Sequence, residues 1–197
     1  MIAEFIYRPI SGQFPEKHFG FITPHSLWVK FIDKDNQEWV GSFSQGWEGY
    51  ATSIINFENE EKTFVVSGGQ GYLIDTTRRD QLNKIVLSGI QTAIADPNHR
   101  RVIFSSGYDL QCIDFDGKSS TLFDKNFFDD IELMEIRDNK LSARYWYYQR
   151  DKDPFHFEID LETNHTKDTY QLADITNLSN NPTLTIIQKI SKWFNGK

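Results

Sequence analysis

The chain has 197 residues, of which 39% are hydrophobic and 15% aromatic, so we expect one domain with a substantial core. Its 28 acidic and 21 basic side chains give a formal net charge of −7, which argues against direct binding of nucleic acid. The single cysteine, Cys112, excludes an internal disulfide bond, and no apolar segment reaches membrane-spanning length, so we expect a cytoplasmic protein that does not bind membranes.

The N-terminal segment, residues 1–9, contains the acidic residue Glu4 and lacks the long apolar core of a secretory signal. Its apolar and aromatic residues favour an extended strand. In a chain built from repeated sheets, we expect such a strand to close the ring.

The dipeptide Ile-Asp closes an apolar run at intervals of about 40 residues, a period typical of arrays built from one supersecondary unit. Each copy ends a stretch of strand-forming residues and leads into a polar turn, such as 34–36 or 115–117. Asp, Asn and Gly favour such turns, because Asp and Asn bond their own backbone and Gly and Asn tolerate positive φ. The four copies are Ile32-Asp33, Ile74-Asp75, Ile113-Asp114 and Ile159-Asp160.

Another predicted hairpin precedes three of the four dipeptides, so a full unit has four strands. These hairpins pair 53–57 with 63–66, 92–95 with 102–104, and 132–136 with 141–146. Units of this kind are typical of β-propeller blades, whereas leucine-rich and helical repeats need periodicities that are missing here. We therefore predict an all-β, propeller-like array of about four antiparallel blades over residues 1–180. A β-sandwich or a long meander is the alternative, because regular hairpins suit both architectures.

The last segment changes periodicity. Leu184, Ile187, Ile190 and Phe194 recur at three- and four-residue intervals and form one apolar stripe. We predict an amphipathic C-terminal helix over residues 181–197 that packs on the β domain. Its polar face carries too few basic residues to favour a membrane surface.

Motifs for catalysis, metals and cofactors are incomplete. The glycine-rich stretch 67–71 leads into a strand and not a helix, so we interpret it as a hairpin turn and not as a phosphate loop. The stretches 33–36 and 114–117 begin like calcium loops, but the required glycine is missing or misplaced. The five histidines lack the short spacing of a metal site. We therefore expect no catalytic residue, no metal and no cofactor, and a protein that is not an enzyme.

Acidic and aromatic clusters are the remaining candidates for function. The segment 124–135 combines several acidic side chains with a single lysine, which suits electrostatic steering toward a basic protein. Exposed Trp and Tyr are favoured interface anchors, although the same side chains can fill space between sheets. The residues that we expect at a partner interface are Trp47, Glu48, Tyr50, Asp129, Asp130, Tyr147 and Tyr148.

Through the four Ile-Asp hairpins, the chain resembles small β-propeller-like repeat proteins over residues 25–170. As a small, acidic, cysteine-poor chain without a catalytic motif, it is also similar to bacterial toxin-immunity proteins. That resemblance implies a protein-binding module that neutralises a cognate protein toxin, such as a basic nuclease, by occlusion. The alternative is a carbohydrate-binding or hydrolytic propeller with a central funnel, in which Trp28, Trp39 and Trp47 stack on sugars.

Overall fold

The computed structural model describes residues 2–124, 129–146 and 153–168. Within them the chain is all-β, as predicted, and its strands form four sheets of four strands each. A short 3₁₀ turn at Glu58–Glu60 lies between two of the strands. No helix in the described ranges is long and apolar enough to cross a membrane.

The first sheet contains the N-terminal strand. Its strands are β1 (Ile2–Ile6), β2 (Glu16–Phe19), β3 (Leu27–Ile32) and β4 (Glu38–Phe43), in the spatial order β1-β3-β4-β2. β1 is antiparallel to β3, and β2 is parallel to β4. The prediction that the N-terminal strand closes a ring is therefore wrong, because β1 pairs with β3 inside the first sheet.

The other three sheets are meanders, in which sequence order and spatial order agree. The second sheet contains β5 (Ser53–Phe57), β6 (Lys62–Ser67), β7 (Gln70–Asp75) and β8 (Asp80–Gln81). The third contains β9 (Thr92–Asp96), β10 (Arg101–Ser105), β11 (Asp109–Asp114) and β12 (Ser119–Asp124). The fourth contains β13 (Asp129–Arg137), β14 (Lys140–Trp146), β15 (Phe155–Asp160) and β16 (Thr166–Asp168). The predicted hairpins and their grouping into four-stranded units are thus confirmed.

One Ile-Asp dipeptide lies at the end of each of the strands β3, β7, β11 and β15, one in every sheet. In each copy the aspartate Oδ1 accepts backbone N–H groups of the turn that follows. Asp33 Oδ1, for example, accepts the N–H groups of Asp35 and Gln37 at 3.0 and 2.9 Å. The predicted turn chemistry is therefore confirmed. In every sheet, the dipeptide marks the point where the third strand in sequence ends and the chain reverses direction.

Apolar side chains pack between successive sheets. Phe43 of the first sheet contacts Tyr72 of the second, with ring centroids 5.2 Å apart. Phe64 of the second sheet stacks on Phe104 of the third at 6.2 Å, and Tyr145 belongs to the core between the third and fourth sheets. Among the described residues, no core cluster joins the fourth sheet to the first.

Strand direction distributes the loops between two edges of the sheets. The turn edge carries the turns that follow the Ile-Asp dipeptides and, in the second to fourth sheets, the turns between the first and second strands. The linker face carries the connections between sheets and the turns between the second and third strands. The turn edge comprises residues 33–37, 58–61, 76–79, 97–100, 115–118, 138–139 and 161–165. The linker face comprises residues 20–26, 44–52, 68–69, 82–91 and 106–108.

Two predictions lie outside the described residues. These are the C-terminal helix over residues 181–197 and the domain boundary at residue 180.

Candidate functional site

The turn edge is bound together by ion pairs that cross from sheet to sheet. Lys34 of the first sheet pairs with Glu61 of the second at 2.8 Å, and Arg100 of the third pairs with Glu60 at 2.9 Å. Hydrogen bonds to Lys34 and Thr77 hold the pKa of Glu61 below its ordinary value. These four charged side chains are thus engaged within the molecule.

The linker face has the opposite character, because it exposes large apolar and aromatic side chains. Trp47 is 78% exposed and Phe21 is 88% exposed. Exposed apolar groups that gather on one face of a protein are typical of interaction sites, whereas the same groups scattered singly are not. The exposed members within its segments are Phe21, Ile22, Trp47, Tyr50, Ile85, Val86 and Tyr108.

Backbone hydrogen bonds fix the connection between the first and second sheets, residues 44–52 (the first linker), against the glycine-rich turn of the second sheet. The Trp47 N–H donates to the Gly68 carbonyl at 2.9 Å, and the Gly69 N–H donates to the Ala51 carbonyl at 2.8 Å. Gly69 has a φ of 79°, and a Cβ at this position would lie 2.7 Å from the Cβ of Tyr50. The stretch 67–71 is therefore the predicted hairpin turn, and its glycines allow the linker to pack directly on it.

A cleft of about 490 Å³ opens on the linker face, where the first linker meets the connection between the second and third sheets, residues 82–91 (the second linker), and the start of the fourth sheet. Its volume lies within the range of small-molecule and side-chain binding pockets. Its walls combine two aromatic rings with two carboxylates, an amide and a hydroxyl. The lining residues are Gly49, Tyr50, Gln91, Thr92, Asp130, Ile131, Glu132 and Trp146.

The backbone is irregular where β13 enters the cleft. The pairing of β13 with β14 shifts register between Asp129 and Glu132, and Asp130 adopts a left-handed conformation with a φ of 54°. The Ile131 N–H donates to the Gly107 carbonyl of the third sheet at 3.2 Å, which fixes the bulge. Bulges and left-handed non-glycine residues cost free energy and are frequent at functional sites.

One wall of the cleft is organised by Arg144. Its Nε donates to Glu132 Oε2 at 2.7 Å, and its guanidinium lies 5.4 Å from the ring centroid of Trp146. Trp146 and Arg144 are two residues apart on β14 and therefore share a face of the sheet, whereas Tyr145, which lies between them, is buried in the core. The arginine thus holds the carboxylate and the indole on the same side of the sheet.

The structure brings two of the predicted interface residues into this cleft, Tyr50 and Asp130. Trp47 and Glu48 are exposed in the same linker, outside the cleft lining. The backbone of Asp129 belongs to β13, but its side chain lies outside the described part of the structure. Tyr147 and Tyr148 also lie outside the described residues.

Four polar or aromatic members of the cleft were missed by sequence reasoning. Trp146 follows the buried Tyr145 on β14, so it lies on the opposite face of the sheet, away from the core. Glu132 belongs to the acidic segment 124–135 and lines the cleft. Gln91 ends the second linker and Thr92 begins β9, and no local signal marks either residue.

A serine, a histidine and a glutamate also meet on the first sheet. His18 Nδ1 lies 2.8 Å from Ser42 Oγ, and His18 Nε2 lies 4.0 Å from Glu16 Oε2. Ser42 is 2% exposed and is the next-to-last residue of β4, so its buried Oγ is not accessible to a substrate carbonyl. We therefore interpret the cluster as structural.

Within the part of the chain that the structure describes, no three His, Cys, Asp or Glu side chains are grouped so that they could hold a metal ion. The aspartates of the two calcium-like stretches direct their Oδ1 atoms to backbone N–H groups of their own turns.

No family model matches the chain, and no match was found among curated proteins. Function is therefore inferred from the chemistry of the cleft and of the face on which it opens.

Proposed function

We propose that this chain is a protein-binding module that neutralises a cognate protein toxin, such as a basic nuclease, by covering its active surface. The observation that carries the proposal is the contrast between the two edges of the sheets. Ion pairs between sheets engage several charges of the turn edge, while the linker face exposes aromatic side chains around a cleft whose lining includes two carboxylates. Rigid sheets that present loops of this kind are common scaffolds for recognition.

We also propose a propeller-like arrangement of the four sheets, which would suit this function. The first strands of neighbouring sheets lie side by side, as shown by the hydrogen bond of 3.2 Å from Asn56 Nδ2 to the Ala3 carbonyl. A bond of 3.3 Å from the Leu133 N–H to Thr92 Oγ1 links the third and fourth sheets in the same way. Sheets arranged around a common axis place all their linkers on one face, which yields a broad binding surface.

The negative charge of this protein favours a partner with a positively charged surface. The net charge is −7, and Glu48, Asp130 and Glu132 lie on or beside the cleft. An acidic binding face raises the association rate with a basic partner and disfavours acidic competitors.

Co-expression with the product of the adjacent upstream gene tests the proposal. We expect a stoichiometric complex and protection of cells from that product. Trp47→Ala should weaken the complex by about 2 kcal/mol, roughly thirtyfold in Kd, because the Trp47 side chain is exposed in the free protein and suits an interface anchor. Ile2→Ala is the control, since Ile2 is also exposed, at 53%, but lies at the end of β1 beside the turn edge and away from the linker face. A neighbour that is not a toxin and forms no stoichiometric complex would refute neutralisation.

A carbohydrate-binding or hydrolytic function is the second candidate, because the cleft combines Tyr50 and Trp146 with two carboxylates. The sugar-stacking role expected for Trp28 and Trp39 is wrong, since both are buried within the first sheet. Thermal-shift screening of glycans separates the two functions. A glycan that binds the native state must raise the melting temperature.

A further inference from the structure

We propose that residues 173–177 add a strand to the first sheet, antiparallel to β1, on the edge of β1 that faces away from β3. This pairing lies within the chain and needs no partner protein. In the second, third and fourth sheets, the first strand runs from the linker face to the turn edge. β1 runs in the opposite direction, from Ile2 opposite Ile32 to Ile6 opposite Trp28.

By its pairing, β1 corresponds to the second strand of each of the other sheets. Like β6, β10 and β14, it is antiparallel to the strand that ends in an Ile-Asp dipeptide. The first strand of the next sheet lies beside it, since β5 contacts β1 as β13 contacts β10. β6, β10 and β14 each pair with a first strand on their other edge. Among the described residues, no strand holds that position beside β1.

The core between the first and second sheets is incompletely covered at this edge of β1. Phe5 is two residues from the buried Ala3 and shares its face, yet Phe5 is 48% exposed. When the Ile-Asp dipeptides are aligned, its counterpart on β6 is Val66, which is fully buried and pairs with Ser53 of β5. The Ala3 carbonyl accepts a bond from Asn56 but retains a second lone pair. An apolar strand edge of this kind favours the addition of another strand.

The direction of the chain after the fourth sheet suits this position. β16 is antiparallel to β15 and runs toward the linker face, so a strand that follows it would return toward the turn edge, antiparallel to β1. A strand at 173–177 leaves four residues after β16, as many as separate β12 from β13. The five steps from residue 168 to residue 173 span about 17 Å when extended, which exceeds the roughly 14 Å across four adjacent strands.

The sequence of 173–177 also has the pattern of a first strand. In β5 and β9, a small residue is followed two positions later by an isoleucine on the same face of the strand. The corresponding pairs are Ser53 and Ile55, Thr92 and Ile94, and Ala173 and Ile175. Since Ser53 pairs with Val66, the equivalent register places Ala173 opposite Phe5 and Ile175 opposite Ala3.

A cysteine pair tests this register in the full chain, with Cys112→Ala as the background to remove the native thiol. Residues directly opposite each other on paired strands have Cα atoms about 4.5–5.5 Å apart, within the range of a disulfide bond. We expect Phe5→Cys with Ala173→Cys to form an intramolecular disulfide under mild oxidation, detected by mass spectrometry of a digest. Phe5→Cys with Asp174→Cys is the control, because adjacent residues point to opposite faces. A yield no higher than in this control would overturn the proposal.

Hydrogen exchange gives a second measurement without introduced cysteines. The β1 amides that point away from β3 should be protected, and Ile175→Pro should speed their exchange by roughly tenfold or more, because proline disrupts strand pairing. Ser179→Pro, outside the proposed strand, should leave their exchange unchanged. Equal exchange in the wild type and Ile175→Pro would show that 173–177 does not cover β1. Protection that appears only in a complex with a partner would assign this edge to the partner and would likewise overturn the proposal.

Discussion

Asp75 combines the turn role of the repeated aspartates with burial and charge pairing. Its side chain is 7% exposed. Its Oδ1 accepts the backbone N–H of Arg78 at 2.8 Å, and its Oδ2 accepts from Lys62 Nζ and Arg78 Nε, each at 2.9 Å. Burial acts to raise the pKa of Asp75, but the hydrogen bonds from Arg78 and Lys62 outweigh it, so the pKa lies below its ordinary value.

Replacing Asp75 by Asn should lower the free energy of unfolding at neutral pH by about 1–3 kcal/mol, because Lys62 is left without its charged partner. The folded-state pKa lies below the unfolded-state value of about 3.9, so the carboxylate stabilises the protein fully above that value. This contribution is lost as the pH falls through the folded-state pKa. Urea unfolding between neutral pH and about pH 3 should therefore show the wild type and the variant converging in acid.

Asp80→Asn provides the control for this experiment. The Asp80 side chain is 58% exposed and pairs with Lys17 at 3.2 Å on the surface, so its loss should change stability little at any pH. A constant difference between wild type and Asp75→Asn down to acid pH would show that the charge of Asp75 is not the stabilising feature.

The linkers are the elements that build the candidate site, and the second linker is held by a buried side chain. Asn83 is 5% exposed. Its Oδ1 accepts the N–H of Leu73 at 2.8 Å, and its Nδ2 donates to the carbonyls of Gly71 and Ile85 at 3.1 and 3.0 Å. A single amide thus ties the linker to β7 and places the segment that leads to Gln91.

Asn83→Ala should destabilise the protein by about 1–3 kcal/mol for each buried backbone group that loses its partner. It should also speed amide exchange in residues 84–90, because that segment loses its anchor. Chemical unfolding and hydrogen exchange measure the two effects. Asn98→Ala is the matched control, since Asn98 is exposed at the turn edge and bonds Asn139 at 3.2 Å. Unchanged exchange in the linker of Asn83→Ala would contradict the anchoring role.

Strands and turns could be predicted from the sequence because their signals are local. Alternating apolar residues and Asp-rich turns located the hairpins, and the structure confirms them within a few residues. The edge strand β2 was not predicted, because it pairs in parallel with β4, which is not adjacent to it in sequence. Parallel pairing across an intervening strand leaves no local pattern.

The candidate site was predictable only in part for the same reason. Tyr50 and Asp130 were found through exposed aromatic and acidic character, which single residues reveal. Gln91 and Thr92 join them because the third sheet packs beside the fourth, and this depends on long-range packing. Tyr145 is buried in the core between those sheets, so Trp146 is on the exposed face of β14. Sequence alternation alone does not determine which of the two residues is buried.

At the scale of the whole molecule, each cluster of buried side chains joins two successive sheets, so the sheets form a series. The second and third sheets each contribute to two clusters of buried side chains, whereas the first and fourth sheets contribute to one each among the described residues. In an array of this kind, stability is approximately a sum of the units and of their nearest-neighbour interfaces. The inner sheets should therefore be more stable than the outer ones.

Native-state hydrogen exchange checks this expectation strand by strand. Amides of β6, β7, β10 and β11 should exchange most slowly, because both faces of their sheets are covered. Amides of β15 in the fourth sheet should exchange faster, because one face of that sheet packs on no core cluster of the described residues. Equal protection of β15 and β10 would contradict an open series of sheets. It would instead require the first and fourth sheets to cover each other, as they do in a closed propeller.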